Sequence, residues 1–162
     1  PRLGRIAREL HDHASKSAST RRCKKNQTEG FMDLQRLNER VADFLKGVHQ
    51  LERAVAQPYD EFTRDATIQR FEFCYELAWK MLKLRLEQEG ISALTPRQAL
   101  QEALQAGLTD DGNVWSEIQR YRNLTSHTYD EQLAEHVYAF ILQKALAQFQ
   151  TLAREAESWP ST

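Results

Sequence analysis

From Met32 onward, apolar residues recur at intervals of three and four, with polar residues filling the positions between them. Leu34, Leu37, Val41, Phe44, Leu45, Val48, Leu51 and Val55 form one such stripe, the pattern of an amphipathic helix that buries one face. Pro58 closes it. A second helix is predicted from near Asp60 to Gly90, where a glycine suits the position just past a helix end. Its stripe of Ile68, Phe71, Tyr75, Ala78, Leu82 and Leu86 is widened by Phe73, Leu77, Trp79, Met81 and Leu84, so more than one side should be covered. Thr95-Pro96-Arg97-Gln98 reads as a helix start: a capping threonine, a first-turn proline, and a glutamine at the capping-box position. That helix is short, turns Ala99, Leu100, Ala103 and Leu104 inward, and stops at Gly107. A turn at Asp110-Asp111-Gly112 leads to a fourth helix bearing Val114, Trp115, Ile118, Tyr121 and Leu124. Thr128 with Glu131 repeats the capping-box spacing and predicts the start of a last helix carrying Leu133, Val137, Phe140, Ile141, Ala145, Phe149 and Leu152. No segment alternates with period two, and there is no glycine-rich nucleotide loop and no internal repeat. The expected fold is all-α: an up-and-down four-helix bundle with one additional short helix, over residues 32–157.

The flanks differ. Residues 1–31 are polar and basic, and such a segment buries too little surface to offset the entropy of ordering it, so they are expected to be a disordered extension, with 158–162 a short tail. The formal net charge of -1 hides this asymmetry: residues 1–30 hold eight Lys and Arg against three acids, leaving the remainder mildly acidic. That excludes the broad positive field of a general nucleic-acid binder, and any RNA contact must be local. A mean hydropathy of -0.67 and the lack of any apolar run near the roughly 20 residues of a membrane span argue against a membrane partner. No signal-peptide-like apolar stretch opens the sequence, and Cys23 and Cys74 show no CxxC spacing, so a reducing, cytoplasmic setting without a disulfide framework is expected.

The stretch RNLTSHTYDE, residues 122–131, concentrates the candidate chemistry. At about 100° per residue, Arg122 and His127 stand about 140° out of phase on an ideal helix, so they share a face only if the helix frays near Ser126 and lets His127 swing out of register. The capping signal at Thr128 supplies such a break, and Asn123 and His127, four apart, share a face. The free N–H groups opening the last helix would suit a phosphate. Histidine exchanges protons near neutral pH, and arginine grips phosphate and stabilises charge developing on it. The two suffice in principle for metal-independent RNA cleavage, with two copies across a dimer axis supplying both base and acid. On spacing alone the same residues serve equally as caps for the helix ends or as partners for Asp130 and Glu131.

Arg122 to Tyr129 matches the R-x4-H-x-Y motif, and the chain resembles the HEPN-domain family in its nucleotidyltransferase substrate-binding branch. The resemblance is carried by RFEFCYELAWKMLK (70–83), TPRQALQEALQAGL (95–108) and DGNVWSEIQRYRNLTSHTYDE (111–131), and covers roughly Met32 to Leu152. It implies a helical homodimer and a complex with a minimal nucleotidyltransferase encoded nearby. It also implies a toxin–antitoxin pair in which Arg122 and His127 are catalytic in a ribonuclease, Asn123 is a supporting polar residue, and the transferase places AMP on Tyr129. No cofactor or metal is implied. The alternative within the same branch is a non-catalytic dimeric adaptor that presents a substrate to the transferase. Glu72 and Glu76, an i, i+4 pair, could bind a metal or an arginine, with Arg70, Lys80 or the Arg122 region as partners. Trp79, Trp115, Tyr121 and Cys74 read as packing residues, and His49 and His136 as surface ones.

Overall fold

The computed structural model describes residues 30–159, so the expected basic extension and tail lie outside it except for Gly30 and Phe31 at one end and Ser158 and Trp159 at the other. Chain packing separates residues 1–35 from 36–162; the described part of the first unit, 30–35, is the opening of a helix. The second unit is the helical bundle, and its described residues contain no strand. Helix α1 covers 30–55. It is followed by α2 (Glu61–Gln88), the short α3 (Pro96–Gln105), α4 (Gly112–Leu124), α5 (Glu131–Phe140) and α6 (Leu146–Glu157). A π-helical turn, Ile141–Ala145, joins α5 to α6 into one rod. The four long rods are therefore α1, α2, α4 and α5–α6, with α3 as the additional short helix.

The helix ends obey local chemistry. Asp60 caps α2 by accepting from the Thr63 N–H at 2.6 Å, while the Thr63 hydroxyl accepts from the Asp60 N–H at 2.8 Å. Thr95 caps α3 and Pro96 stands in its first turn. The Gln98 side chain accepts from the Leu94 N–H rather than from the cap itself. Gly90 and Gly107 take φ of 76° and 74°, the left-handed conformation that ends α2 and α3.

Helix α2 is the central element and packs against α3, α4 and α5. On its remaining side α1 comes close at Gly47, where a Cβ would stand 3.0 Å from Leu77 Cδ1 and 3.7 Å from Cys74 Sγ. Burial around Cys74 pushes its thiol up to about 12, so it behaves as a small apolar group. Phe149 is the hub of the aromatic core: its ring lies 6.3 Å from Phe44, 6.0 Å from Phe71 and 5.7 Å from Trp115, joining α1, α2, α4 and α6. Trp159 is buried too, with the Arg85 guanidinium 5.6 Å from its ring.

Three expectations change. The last helix is not a uniform α-helix: the π turn inserts extra backbone so that Phe140 and Ile141, adjacent in sequence, are both buried, and Ala145, Phe149 and Leu152 stay on the core stripe. Phe73, read as widening the α2 stripe, is 51% exposed, and Leu104 on α3 is exposed as well. Phe73 lies at the edge of its apolar arc, whereas Leu104 lies against Gly112 at the start of α4, where the missing side chain leaves one side of it open.

Because Phe149 touches three aromatic rings on three other helices, Phe149→Ala should lower unfolding stability by about 3–5 kcal/mol. The exposed Leu142, within the π turn, should cost no more than about 0.5 kcal/mol as alanine. Urea unfolding of the two variants measures the contrast.

Candidate functional site

The junction after α4 is built in three steps. The α-helix ends at Leu124, a 3-10 turn covers Thr125–His127, and α5 begins at Glu131. The cap of α5 is Asp130, not Thr128. Asp130 is extended at φ -78° and ψ 116° and accepts from the Leu133 N–H, whereas Thr128, at ψ 4°, cannot turn its side chain onto the next helix. The Thr128 hydroxyl instead donates back to the Thr125 carbonyl at 3.0 Å and tightens the 3-10 turn. The α5 N-terminus is thereby occupied by the Asp130 carboxylate, with Glu131 in its first turn, and is a poor phosphate site.

Arg122 stands in the last turn of α4 and reaches across to α2. Its Nη1 lies 3.5 Å from Glu72 Oε1 and its Nη2 3.7 Å from Glu76 Oε1, so the two carboxylates expected as a metal or arginine pair face this guanidinium. Nη1 also donates to Thr125 Oγ1 at 3.4 Å. The single proton of the Thr125 hydroxyl is shared between Glu72 and the Arg122 carbonyl. Glu76 further receives the Trp79 indole N–H at 3.0 Å and lies 3.5 Å from Lys80 Nζ. Arg70, the other expected partner, instead donates to the Ala66 carbonyl. The separations from Arg122 to the carboxylates exceed ordinary hydrogen-bond lengths, so charge orients the guanidinium without spending most of its donors. Its Nε is buried and unpartnered, while the side chain as a whole keeps 29% exposure.

His127 is exposed, and its ring lies 6.0 Å from that of Tyr129 in an edge-to-face arrangement. Tyr129 is 87% exposed, its phenol open to a modifying enzyme. Asn123 is also exposed, and its carbonyl accepts from the Ser126 hydroxyl. Within the single chain no hydrogen bond or ion pair among the described residues joins Arg122 to His127. The fold thus gathers His127 and Tyr129 at one break and anchors Arg122 beside it on α2.

Two structural residues of the site escaped the sequence reading. Thr125 is buried and links Arg122 to Glu72. Arg64, only 3% exposed, ties the start of α2 to the start of α5: it pairs with Glu131, with Glu135 at 2.9 Å and with Asp65 at 3.0 Å. The Tyr59 hydroxyl donates to Glu135, and its ring lies 5.4 Å from Tyr138. This cluster fixes α5 directly after the exposed loop. A signal for it was present, since Arg64 lies on the core side of α2, four residues before Ile68 and seven before Phe71. Among the secondary candidates, Tyr121 stacks on Phe140 at 3.9 Å, Trp115 is buried, and His49 and His136 are not. Among the described residues no three His, Cys, Asp or Glu side chains gather closely enough to hold a metal ion.

This bundle, with a polar break between its last two long rods, places the protein in a known class. Residues 39–158 match the family described as nucleotidyltransferase substrate binding protein like, and the chain belongs to that family. A Haemophilus influenzae protein named "Probable ribonuclease HepT" is 46% identical over 79 residues, which are 46% of this chain. The match spans 54% of that relative's length. Two solved structures share the fold. One is a Thermus thermophilus protein, 30% identical with a TM-score of 0.59 over 69% of this chain and 93% of that one. The other is a Haemophilus influenzae protein described as revealing the fold of a substrate binding domain of a nucleotidyltransferase, 32% identical with a TM-score of 0.57 over 77% and 99%.

The hydrogen bond from Tyr59, and then Arg64, hold the Glu135 carboxyl below the usual glutamate range. A depressed folded-state value means stability that is present above the unfolded value and lost as pH falls through the folded one. The thermal midpoint of the unmodified protein should therefore exceed that of Glu135→Gln at neutral pH, and the two should converge in acid below the normal glutamate range. Removing the cation itself, Arg64→Met, should lower the thermal midpoint at neutral pH, by less than breaking a fully buried pair would because Glu131 and Glu135 keep contact with water.

Proposed function

We propose that this protein is a ribonuclease-type partner of a minimal nucleotidyltransferase, cleaving RNA without a metal and silenced when AMP is transferred onto Tyr129. The observation that carries the reading is the junction itself: an exposed imidazole and an exposed phenol on one short break, beside a partly exposed arginine that two carboxylates orient at distances longer than hydrogen bonds. Family membership and the name of the Haemophilus influenzae relative support it. In the reaction, the ribose 2′ oxygen forms a bond to the adjacent phosphorus as the bond from phosphorus to the 5′ oxygen breaks. A base takes the 2′ proton, an acid gives one to the leaving 5′ oxygen, and a cyclic phosphate remains. His127 exchanges one of these protons, and His127 of a second copy in a homodimer exchanges the other. Arg122 turns its unspent donors to the phosphate oxygens and stabilises the charge that grows on them. Asn123, exposed on the last turn of α4, offers a further donor.

Adenylylation of Tyr129 fits the same geometry. The phenol oxygen attacks the α-phosphorus of ATP, pyrophosphate leaves, and the new phosphodiester adds negative charge and a nucleoside two residues from His127. RNA phosphate is then repelled and blocked. The pair would act as toxin and antitoxin in the cytoplasm. A second reading, a non-catalytic dimeric adaptor for the transferase, is favoured by one feature: Arg122 already faces Glu72 and Glu76, as a purely structural arginine would.

The readings separate by experiment. Expression of the protein alone should arrest growth and degrade RNA, and His127→Ala should remove both effects while leaving thermal stability within about 0.5 kcal/mol, since the side chain is exposed. Equal harmlessness of the two proteins would leave the adaptor. With the transferase and ATP, intact-mass analysis should show a gain of whole AMP units that Tyr129→Phe abolishes.

A further inference from the structure

A second polar feature lies on the opposite flank of α2 from the Glu72 and Glu76 side chains. A groove of about 400 Å³ runs between the end of α1 and the first half of α2. Gln50, Arg53 and Gln57 form one wall, and Thr63, Ala66 and Arg70 the other. No acidic side chain lines it. Arg53 and Arg70 have no carboxylate partner among the described residues: Arg70 donates to the Ala66 carbonyl at 3.0 Å, and the Arg53 carbonyl accepts from Gln57. Two uncompensated cations facing one groove repel each other, and an anion between them relieves that repulsion.

The rim adds a second, independent observation. Phe62 is 75% exposed and Phe73 51%. Neither lines the groove, but Phe62 precedes Ala66 by four residues and Phe73 follows Arg70 by three, so each stands one helical turn from a groove residue on the α2 surface. The helix between them separates the two rings by roughly 16 Å along the axis. A cationic, acid-free groove edged by spaced, exposed aromatic rings is what a single nucleic-acid strand requires: arginines for successive phosphates and ring faces on which bases stack irrespective of sequence. The amides of Gln50 and Gln57 can serve both as donors to phosphate and as partners for base edges.

We infer that the Arg53–Arg70 groove with its Phe62 and Phe73 rim is a docking track for single-stranded RNA, separate from the cleavage junction. The inference rests on the reading of RNA as substrate, and it gives the otherwise acidic bundle a local means of holding that substrate away from the reacting phosphate.

The test measures anisotropy of a fluorescein-labelled, random-sequence single-stranded RNA oligomer, with His127→Ala as the background so that nothing is cleaved. Arg53→Gln/Arg70→Gln should weaken binding about tenfold at low salt and flatten the logarithmic salt dependence by about 1.4, the value for two released phosphate contacts on a single strand. Phe62→Ala/Phe73→Ala should weaken binding at least about fivefold and leave the salt slope unchanged, because stacking carries no counterion term. All four side chains are exposed or half-buried, so folding should survive. Absence of oligomer binding, or unchanged affinity in both pairs, overturns the inference. So does a fall in molar mass of Phe62→Ala/Phe73→Ala by light scattering, since the phenyls would then cover a second copy of the chain. Cleavage is scored separately with His127 intact. Binding that depends on these four residues in a protein that cleaves nothing refutes the ribonuclease and leaves the track. Cleavage with binding indifferent to them refutes the track alone.

Discussion

Arg122 has to be in two places at once, and the pair of carboxylates on α2 solves the problem. The residue belongs to the last turn of α4, yet its guanidinium faces Glu72 and Glu76, one helical turn apart on the central helix. Thr125 closes the arrangement by sharing its hydroxyl proton between Glu72 and the Arg122 carbonyl. The crossing ties α4 to α2 at the point where α4 stops, and so fixes where the 3-10 turn leaves the bundle. A second crossing, from Arg64 to Glu131 and Glu135, ties α2 to the helix that follows. Between these two charged links the chain has only the residues from Ser126 to Asp130 to place, and His127 and Tyr129 are held outward with little else to restrain them.

That arrangement would let one arginine serve both the structural role and the proposed reactive one. Separations of 3.5 and 3.7 Å are long for hydrogen bonds. The carboxylates supply direction and retain the charge, but they do not saturate the donors. The cost is a negative surround for a site proposed to meet phosphate. If the ligand is a polyanion, a chain of this charge would gain from holding it elsewhere as well, and the acid-free groove beside α2 is the proposed place.

Much of this was legible in the sequence, for reasons that differ by element. Asp60, Thr95, Gly90 and Gly107 act through their own backbones, so local chemistry placed the ends of α2 and α3. The spacing of Arg122 and His127 demanded a break, and the break exists. Its cap was misplaced because Thr128 and Asp130 both qualify by residue type, and only ψ, set by the packing of α5, decides between them. The π turn was invisible because a stripe with neighbours at 140 and 141 reads equally as a wide α-helical face. The place of Arg64 on the core side of α2 announced its burial, but its partners, Glu131 and Glu135, lie about seventy residues away, and no local pattern names them. Family resemblance supplied what geometry lacked, namely the proposed roles for Arg122, His127 and Tyr129. The family itself is shown by the match over residues 39–158.

The central claim is chemical: an attack by the 2′-OH on its own phosphate, with protons moved by His127 and charge held by Arg122. It is tested most directly by incubating purified protein with RNA in excess chelator and identifying the new termini. Cleavage should persist in chelator, leave 2′,3′-cyclic phosphate and 5′-hydroxyl ends, and fail wherever the ribose at the cut site is replaced by its 2′-deoxy form. Products ending in 3′-hydroxyl and 5′-phosphate, or cutting that proceeds at a 2′-deoxy position, would contradict it.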